Sequence, residues 1–259
     1  KYQHTTATTY NMQVQQEKIE ADLRGYDSVI DYLLQDQEVT REMFDRQIDV
    51  IMSELAPIMQ KYAKLLKRVH NLEVMRFEDL KISIDPLYEP EISIEESKSY
   101  IYGALNVLGD DYLNMVETAY RDRWIDFAQN KGKETGAYCA SPYASHSYVF
   151  ISWTGKMAEA FVLAHELGHA GHFNLAQHHQ NYLESEASMY FVEAPSTMNE
   201  MLMATYLFQR SEDPQFKRWV IGSIISRTYY HNMVTHLLEA AFQREVYTKV
   251  DAGESLTAP

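Results

Sequence analysis

The stretch HELGHAGHF, residues 165–173, places two histidines four positions apart with a glutamate directly after the first. Residues i and i+4 share one face of an α-helix, so His165 and His169 can offer two imidazoles to one metal ion. Glu166 lies one position round the helix, where a carboxylate suits a general base acting on a metal-bound water. The apolar run at 161–164 indicates a buried helix, in which adjacent His and Glu need a partner. The motif therefore predicts a metal site, in preference to a helix with two ordinary histidines.

A third protein ligand is needed, and its position separates the classes of HExxH enzyme. The long metzincin pattern requires Gly at 172 and His at 175, where this chain has His172 and Leu175. A thermolysin-like or aminopeptidase-like spacing would place a glutamate near positions 188 and 189, which hold serine and methionine, so that class is excluded as well. Of the glutamates that follow the motif, at 184, 186 and 193, Glu193 is the best candidate, 24 residues after His169.

The chain is 259 residues long, and its 23 Lys and Arg stand against 37 Asp and Glu, a formal net charge of −14. Such acidity argues against nucleic acid or an anionic membrane as a partner, because both bind clustered positive charge. No apolar run approaches the roughly 20 residues that span a bilayer. The single cysteine, Cys139, excludes an intrachain disulfide and fits a reducing cytoplasm. The sequence does not indicate an oligomeric state.

Apolar residues at helical spacing predict a mostly helical chain. The predicted helices cover residues 11–35, 38–69, 93–109, 111–129, 154–179, 183–210 and 213–249. Ser93 to Glu96 has the form of a capping box, and Asp213 with Pro214 has the form of a helix start. Residues 148–153 are predicted as a strand, 80–84 as a short strand and 130–146 as a loop. Pro195 would kink its helix, because it removes an amide from the hydrogen-bond ladder.

HELGH followed 24 residues later by the glutamate of FVEAPS, residues 191–196, resembles the thimet oligopeptidase and oligoendopeptidase F family of zinc metallopeptidases. The loop GAYCASPY (136–143), the strand before the HExxH helix and the residues 122–124 are most similar to the oligoendopeptidase F branch. The resemblance runs from residue 10 to the end and is strongest over 98–207. It implies that His165, His169 and Glu193 bind one Zn²⁺ and that Glu166 is the catalytic base.

The resemblance also implies the fold and the activity. The expected fold is a mainly α, zincin-like metallopeptidase catalytic domain with a small sheet or hairpin before the HExxH helix. The expected function is a zinc-dependent endopeptidase that hydrolyses short peptides, with Glu166 activating a zinc-bound water. Both ends of the sequence resemble cuts within a longer protein. We therefore predict that residues 1–259 form a single, mostly helical catalytic-domain fragment of a longer peptidase. Its metal-site core is predicted at 130–210.

A second function remains open. Family members carry a His and Tyr cluster that binds substrate and steadies the tetrahedral intermediate, and we expect it to follow residue 259 in the longer protein. Tyr229, Tyr230, His231 and His236 differ from it in order and place, and are better interpreted as ordinary helix residues. The alternative is therefore a metal-stabilised peptide-binding fragment without catalysis; a helical bundle without metal is a weaker one.

The loop and strand at 136–153 are candidates for substrate binding. An exposed strand edge beside the metal helix would bind an extended peptide through its main chain, which suits broad specificity; a plain core hairpin is the alternative interpretation. The side chains and backbone most suited to touch the peptide are those of Gly136, Tyr138, Tyr143 and His146. Glu200, seven residues after Glu193, either hydrogen-bonds a ligand histidine or is solvated.

Overall fold

The computed structural model describes residues 2–254, 256 and 257. Over these residues the chain is mainly helical with one three-stranded sheet just before the HExxH helix, which confirms the predicted fold class. The α-helices are α1 (Gln3–Leu23), α2 (Val29–Gln35), α3 (Arg41–Val50), α4 (Ala56–Val69), α5 (Ile94–Leu105), α6 (Asp110–Arg121), α7 (Met157–His179), α8 (Glu193–Arg210), α9 (Pro214–Ser223) and α10 (His236–Asp251). The strands are β1 (Ile125–Asp126), β2 (Ala137–Ala140) and β3 (Tyr148–Ile151).

Short 3₁₀ turns and π-helical segments complete the architecture. The 3₁₀ turns are Glu78–Lys81, Asn106–Leu108 and Tyr182–Glu184, and the π-helical segments are Ile51–Leu55, Ile224–Tyr229 and His231–Thr235. The first π segment joins α3 to α4, so the helix predicted over 38–69 is continuous from Arg41 to Val69. None of the helices that the structure describes combines the length and the apolar character required to cross a membrane.

The chain divides into two compact units. The central unit is the continuous segment 64–229, and the terminal unit combines the residues up to Ala63 with those from Tyr230 onward. The prediction that 1–259 forms a single catalytic domain is not tested by this division and stays a prediction.

The central unit is built around α7. Leu163, Ala164, Leu167 and Ala170 are fully buried in this helix, against α5, α8 and the sheet. From the sheet, Val149 and the isoleucine two positions on pack into the same core, as alternation along a strand requires. The helix that carries the HExxH motif therefore runs through the core of its unit.

The sheet has the order β1-β3-β2, with β1 parallel and β2 antiparallel to the central strand β3. Because β3 is paired on both sides, residues 147–152 offer no free edge, and the expectation of a peptide-binding edge at β3 is wrong. Within the described residues β2 pairs only with β3, so β2 is an edge strand. It lies inside the segment predicted to be a loop.

The predicted helix starts are confirmed. The Ser93 hydroxyl accepts from the Glu96 amide and the Glu96 carboxylate accepts from the Ser93 amide, which closes the capping box of α5. At α9, Asp213 accepts from the Gln215 amide (2.9 Å) and Pro214 is the first helical residue.

Several predictions of local structure differ from the fold. The helix predicted over 111–129 ends at Arg121, and β1 lies within the predicted range. The helix expected over 11–35 is interrupted at Gly25, which adopts a left-handed φ of 80° between α1 and α2. Pro195 does not lie in a helix interior, because α8 begins only at Glu193 and the first turn of a helix needs no intrahelical amide partner. Residues 78–81 form a 3₁₀ turn, and no strand is present over the described segment 80–84.

The terminal unit has its own core, formed where α1, α2 and α10 pack together. Val14, Ala21 and Val29 are fully buried there, with Val246 and Val250 of α10 nearly so. The hydroxyl of Tyr247 donates to the carboxylate of Glu17 across this core.

Candidate metal centre

The two histidines of the motif project from one face of α7. Their ring centroids lie 4.9 Å apart, as expected for residues i and i+4 of a helix. Both rings are partly buried, with side-chain exposures of 24% for His165 and 12% for His169. Both imidazoles therefore lie largely within the protein but keep some contact with solvent.

Glu193, the first residue of α8, completes a cluster of three potential ligands. Its Oε2 lies 3.2 Å from His165 Nε2 and 3.3 Å from His169 Nε2, and it also accepts a hydrogen bond from Ser196 Oγ at 2.8 Å. The ligand atoms of the three residues all lie within 4.8 Å of one another. The structure thus brings together the three side chains that the sequence singled out.

This donor set fits a zinc ion. Two imidazole nitrogens and one carboxylate oxygen are among the ligands that zinc prefers. Bonds of about 2.0–2.1 Å in a tetrahedral arrangement place neighbouring ligand atoms about 3.3 Å apart. The separations of Glu193 Oε2 from the two histidine nitrogens, 3.2 and 3.3 Å, match that spacing.

Glu200, two turns further along α8, contacts the other side of His165. Its Oε1 lies 2.6 Å from His165 Nδ1, and its Oε2 accepts a hydrogen bond from the hydroxyl of Thr228. With its Nδ1–H donated to this carboxylate, His165 can present Nε2 to a metal ion held together with Glu193. Of the two roles considered for Glu200, the structure shows the hydrogen bond to a ligand histidine.

The carboxylates give the cluster an affinity for positive charge. Burial by itself lowers the pKa of His165, but its hydrogen bonds to Glu193 and Glu200 outweigh that effect and raise the pKa to about 10. The pKa of Glu193 is lowered, chiefly by its hydrogen bonds with His165 and His169. The site therefore favours a cation among its nitrogen and oxygen ligands.

A family model described as peptidase family M3 matches residues 1–258. The chain belongs to peptidase family M3. It is 28% identical to oligopeptidase PepF of Bacillus subtilis, covering 99% of this chain and 38% of that protein. It is 26% identical to an oligoendopeptidase F homolog of Lactococcus lactis, covering 99% of this chain and 42% of that protein. The M3 chain thus spans about two fifths of the length of these curated relatives.

Solved structures agree with the family assignment. A peptidase-like protein from Chlamydophila abortus superimposes with a TM-score of 0.84 at 25% identity, over 99% of this chain and 43% of that one. Oligoendopeptidase-F from Enterococcus faecium has a TM-score of 0.67 at 19% identity, over 99% of this chain and 38% of that one. At 19% identity, the similarity to the Enterococcus faecium structure shows a shared fold alone.

In this M3 family member, Glu166 occupies a buried position beside β2. The residue is only 5% exposed, and burial raises the pKa of its carboxyl group. Cys139 of β2 lies close enough that the Glu166 charge adds to the effect of burial in raising the thiol pKa. Glu166 is therefore a buried residue of α7 within electrostatic reach of Cys139 on β2.

Polar contacts without any counterpart in the sequence pattern join α8 to α7. Asn199 Nδ2 donates to Ala164 O at 2.9 Å and also to the hydroxyl of Tyr112 at 2.9 Å. That hydroxyl in turn donates to Leu167 O at 3.0 Å. The partners come from three helices far apart in the chain of this M3 protein, so no local spacing signals them.

The residues predicted to bind substrate lie along β2 and the following hairpin loop. Gly136 precedes β2 with a φ of 96°, a conformation that glycine adopts without strain. Tyr138 stacks on Phe150 at 4.9 Å, on the opposite side of the strand from Cys139. The structure therefore places Tyr138 away from the face that packs on α7.

The loop residues of the same prediction have partners of their own. Tyr143 donates to Gln180 O at 3.3 Å, just past the end of α7. His146 stacks on Trp124 with ring centroids 5.2 Å apart. In the part of the chain that the structure describes, no contact joins these side chains to the three-ligand cluster, and their role in substrate binding stays a prediction.

The histidines weighed as substitutes for the family's His and Tyr cluster lie in the terminal unit. His231 and His236 contact each other through their Nε2 atoms at 3.2 Å, and His236 Nδ1 lies 2.9 Å from Glu239. These contacts are local to one helical stretch, and the interpretation of His231 and His236 as ordinary helix residues stays a prediction.

Proposed function

We propose that this chain carries the metal centre of a zinc-dependent endopeptidase that hydrolyses short peptides. The observation that supports this most directly is the convergence of His165 Nε2, His169 Nε2 and Glu193 Oε2 in a member of peptidase family M3. Its relatives are named as oligopeptidases and oligoendopeptidases, which favours oligopeptide substrates. Because the chain spans only part of those relatives, the proposed activity is that of the longer protein.

In this proposal His165, His169 and Glu193 hold one Zn²⁺ per chain. When bound, zinc supplies Lewis-acid chemistry, polarising a carbonyl and lowering the pKa of a coordinated water to about 7. Glu200 accepts from His165 Nδ1 and so fixes the imidazole in the tautomer and orientation that a ligand needs. The hydroxyl of Ser196 donates to the same Glu193 oxygen, Oε2, and so helps to hold the carboxylate.

Glu166 is the proposed general base. Its carboxylate takes the proton from the attacking water and then passes it to the amine nitrogen of the departing product. It follows a ligand histidine directly in α7, so it lies beside the metal face without being one of the three converging groups. Its burial next to β2 keeps this proton transfer away from bulk water.

We place the extended substrate on the free edge of β2. The amide of Ser152 donates to Gly136 O at 2.9 Å, so this opposed pair is hydrogen-bonded. Because hydrogen-bonded and non-bonded pairs alternate, residues 138 and 140 also face β3, and the backbone groups of Ala137 and Cys139 face outward. A peptide paired there would lie beside Glu166 and be held mainly by its main chain. Contacts from Gly136, Tyr138, Tyr143 and His146 remain part of the proposal.

We further propose that residues 1–259 act as one catalytic-domain fragment of a cytoplasmic peptidase. The alternative, a metal-stabilised peptide-binding fragment without catalysis, requires the same zinc site but no turnover. No contact in the described residues favours it over the enzyme.

Metal analysis and a peptide assay test the proposal together. After extensive dialysis, elemental analysis should find about one zinc per chain, as a three-ligand site implies. The longer protein should cleave a fluorogenic peptide, lose this activity on chelation and regain it with added zinc. A chain that keeps its helices but binds no zinc contradicts the proposal. Zinc binding without turnover in the longer protein favours the peptide-binding alternative.

A further inference from the structure

We propose that Thr228 is a positioning residue for His165 that acts through Glu200; this inference rests on the proposed zinc centre. The hydroxyl of Thr228 donates to Glu200 Oε2, and the other oxygen of the same carboxylate lies 2.6 Å from His165 Nδ1. All three residues belong to the central unit. The chain of contacts therefore runs from a side chain outside the metal cluster to a ligand imidazole.

The carboxylate needs a second partner because its terminal torsion is soft. Rotation about the last bond of a glutamate meets only a broad, roughly two-fold barrier. A hydrogen bond on one oxygen leaves the carboxylate plane free to turn, whereas bonds on both oxygens fix it. Because Thr228 fixes that plane, Glu200 holds the ring of His165 in one orientation.

The hydroxyl of Thr228 makes a contact that differs from those of three other helical threonines. Thr118, Thr205 and Thr248 each donate to a carbonyl four residues earlier in their own helix. Thr228 instead donates to a carboxylate on α8, 28 residues away in sequence. Thr228 is 5% exposed, so its buried hydroxyl needs a hydrogen-bond partner, which the partly buried Glu200 carboxylate supplies.

The local backbone around Thr228 is also unusual. The residue lies in the π-helical segment Ile224–Tyr229, and such wide turns are rare and frequent at functional sites. A π turn adds a residue to the turn and so redirects the side chains that follow. Next to it, Arg227 Nη1 donates to Ala158 O of α7 at 2.8 Å. The segment is thereby tied to the same helix that bears His165.

The test measures zinc affinity by competition with a chelator. Thr228→Val removes the hydroxyl and keeps the shape, and should weaken zinc binding about tenfold, the lower end of the loss seen when an outer partner of a ligand is removed. Thr228→Ser keeps the hydroxyl and should restore wild-type affinity. Thr205→Val is the matched control, because its hydroxyl bonds only to its own helix. In the cobalt-loaded protein, the visible spectrum of Thr228→Val alone should shift.

The outcomes separate this inference from the proposed function. If the wild-type chain binds no zinc, the proposed centre itself fails. If the wild type binds zinc and Thr228→Val binds it equally well with an unchanged cobalt spectrum, the positioning role is overturned while the centre stands. Should Thr228→Val lose helical content, Thr228→Ala is measured in its place against Thr228→Ser, and the same criteria apply.

Discussion

Gly168 of α7 lies directly against the backbone of Ser196 in α8: a Cβ added to the glycine would meet the Ser196 Cα at 2.5 Å and Pro195 O at 2.8 Å. The two helices therefore touch without a side chain between them at this point. Glu193 lies three residues before Ser196, and His169 directly follows Gly168. The close approach thus brings the start of α8 within reach of the two histidines.

A methyl group at this contact should push the helices apart. Gly168→Ala is expected to destabilise the chain by about 1–3 kcal/mol, as overpacking of a core does, and to weaken zinc binding. Chemical unfolding of the zinc-free protein and chelator competition measure the two effects.

Gly222→Ala is the matched control for this substitution. Gly222 lies within α9, where an added Cβ would have as its nearest neighbour Ile84 Cδ1 at 3.8 Å. That change should leave zinc affinity unaltered and stabilise the chain by up to about 1 kcal/mol, through helix propensity. Equal stability of the two variants would contradict the packing argument.

Removal of one ligand should empty the metal centre. His165→Ala and Glu193→Ala each leave two protein ligands, which hold zinc poorly, so dialysed protein should retain well under about one equivalent by elemental analysis. His172→Ala is the control: its ring lies 5.9 Å from the Phe191 ring and outside the ligand cluster, so zinc content should be retained. Retention of zinc by both ligand variants would mean that the ion binds elsewhere.

Glu166→Gln separates chemistry from metal binding. The amide has nearly the shape of the carboxylate but accepts no proton, so zinc content should stay at the wild-type level. In the longer protein kcat should fall by about two to four orders of magnitude, the usual contribution of general acid–base catalysis. Loss of zinc together with activity would make Glu166 a ligand and overturn its proposed role.

The proposed pairing of substrate with β2 predicts that one backbone amide of this strand contributes to peptide affinity. Cys139→Pro removes an outward-facing donor that the sheet itself does not use, and proline is tolerated at such edge positions. Relative to Cys139→Ala, which keeps the amide, the affinity of the longer protein for an uncleavable peptide should fall about two- to twelvefold, the equivalent of one hydrogen bond. Titration with the labelled peptide measures this, and equal affinity of the two variants would exclude pairing at Cys139.

The sequence predicted well those features that depend on local spacing. Four-residue periodicity placed His165 and His169 on one face, and the capping pattern at Ser93 located the start of α5. Glu193 was identified through the family resemblance, because spacing alone left nearby glutamates open.

Other features depend on tertiary contacts and lacked a local signal. β2 is four residues long within a Gly-, Ser- and Ala-rich stretch, so its identity as a strand comes from pairing with β3. From the sequence, the hydrogen bond of Glu200 to a ligand histidine is one of two possibilities. A glutamate at a polar helix position is equally compatible with a side chain that faces solvent. Thr228 lies 28 residues beyond Glu200 in a π turn, for which sequence periodicity gives no template.

The division of the chain bears on the order in which it folds. Every residue of the proposed centre lies in the uninterrupted segment 64–229, whereas the terminal core joins Glu17 to Tyr247 across 230 residues. Contacts between distant residues close slowly, and domains fold as units while the chain emerges from the ribosome. The segment with the HExxH helix is complete in sequence once Tyr229 has been made. At that point α1 cannot yet pack against α10, because α10 has not been synthesised. During synthesis, the central unit is therefore complete in sequence before α10, the last helix of the terminal unit, has been made.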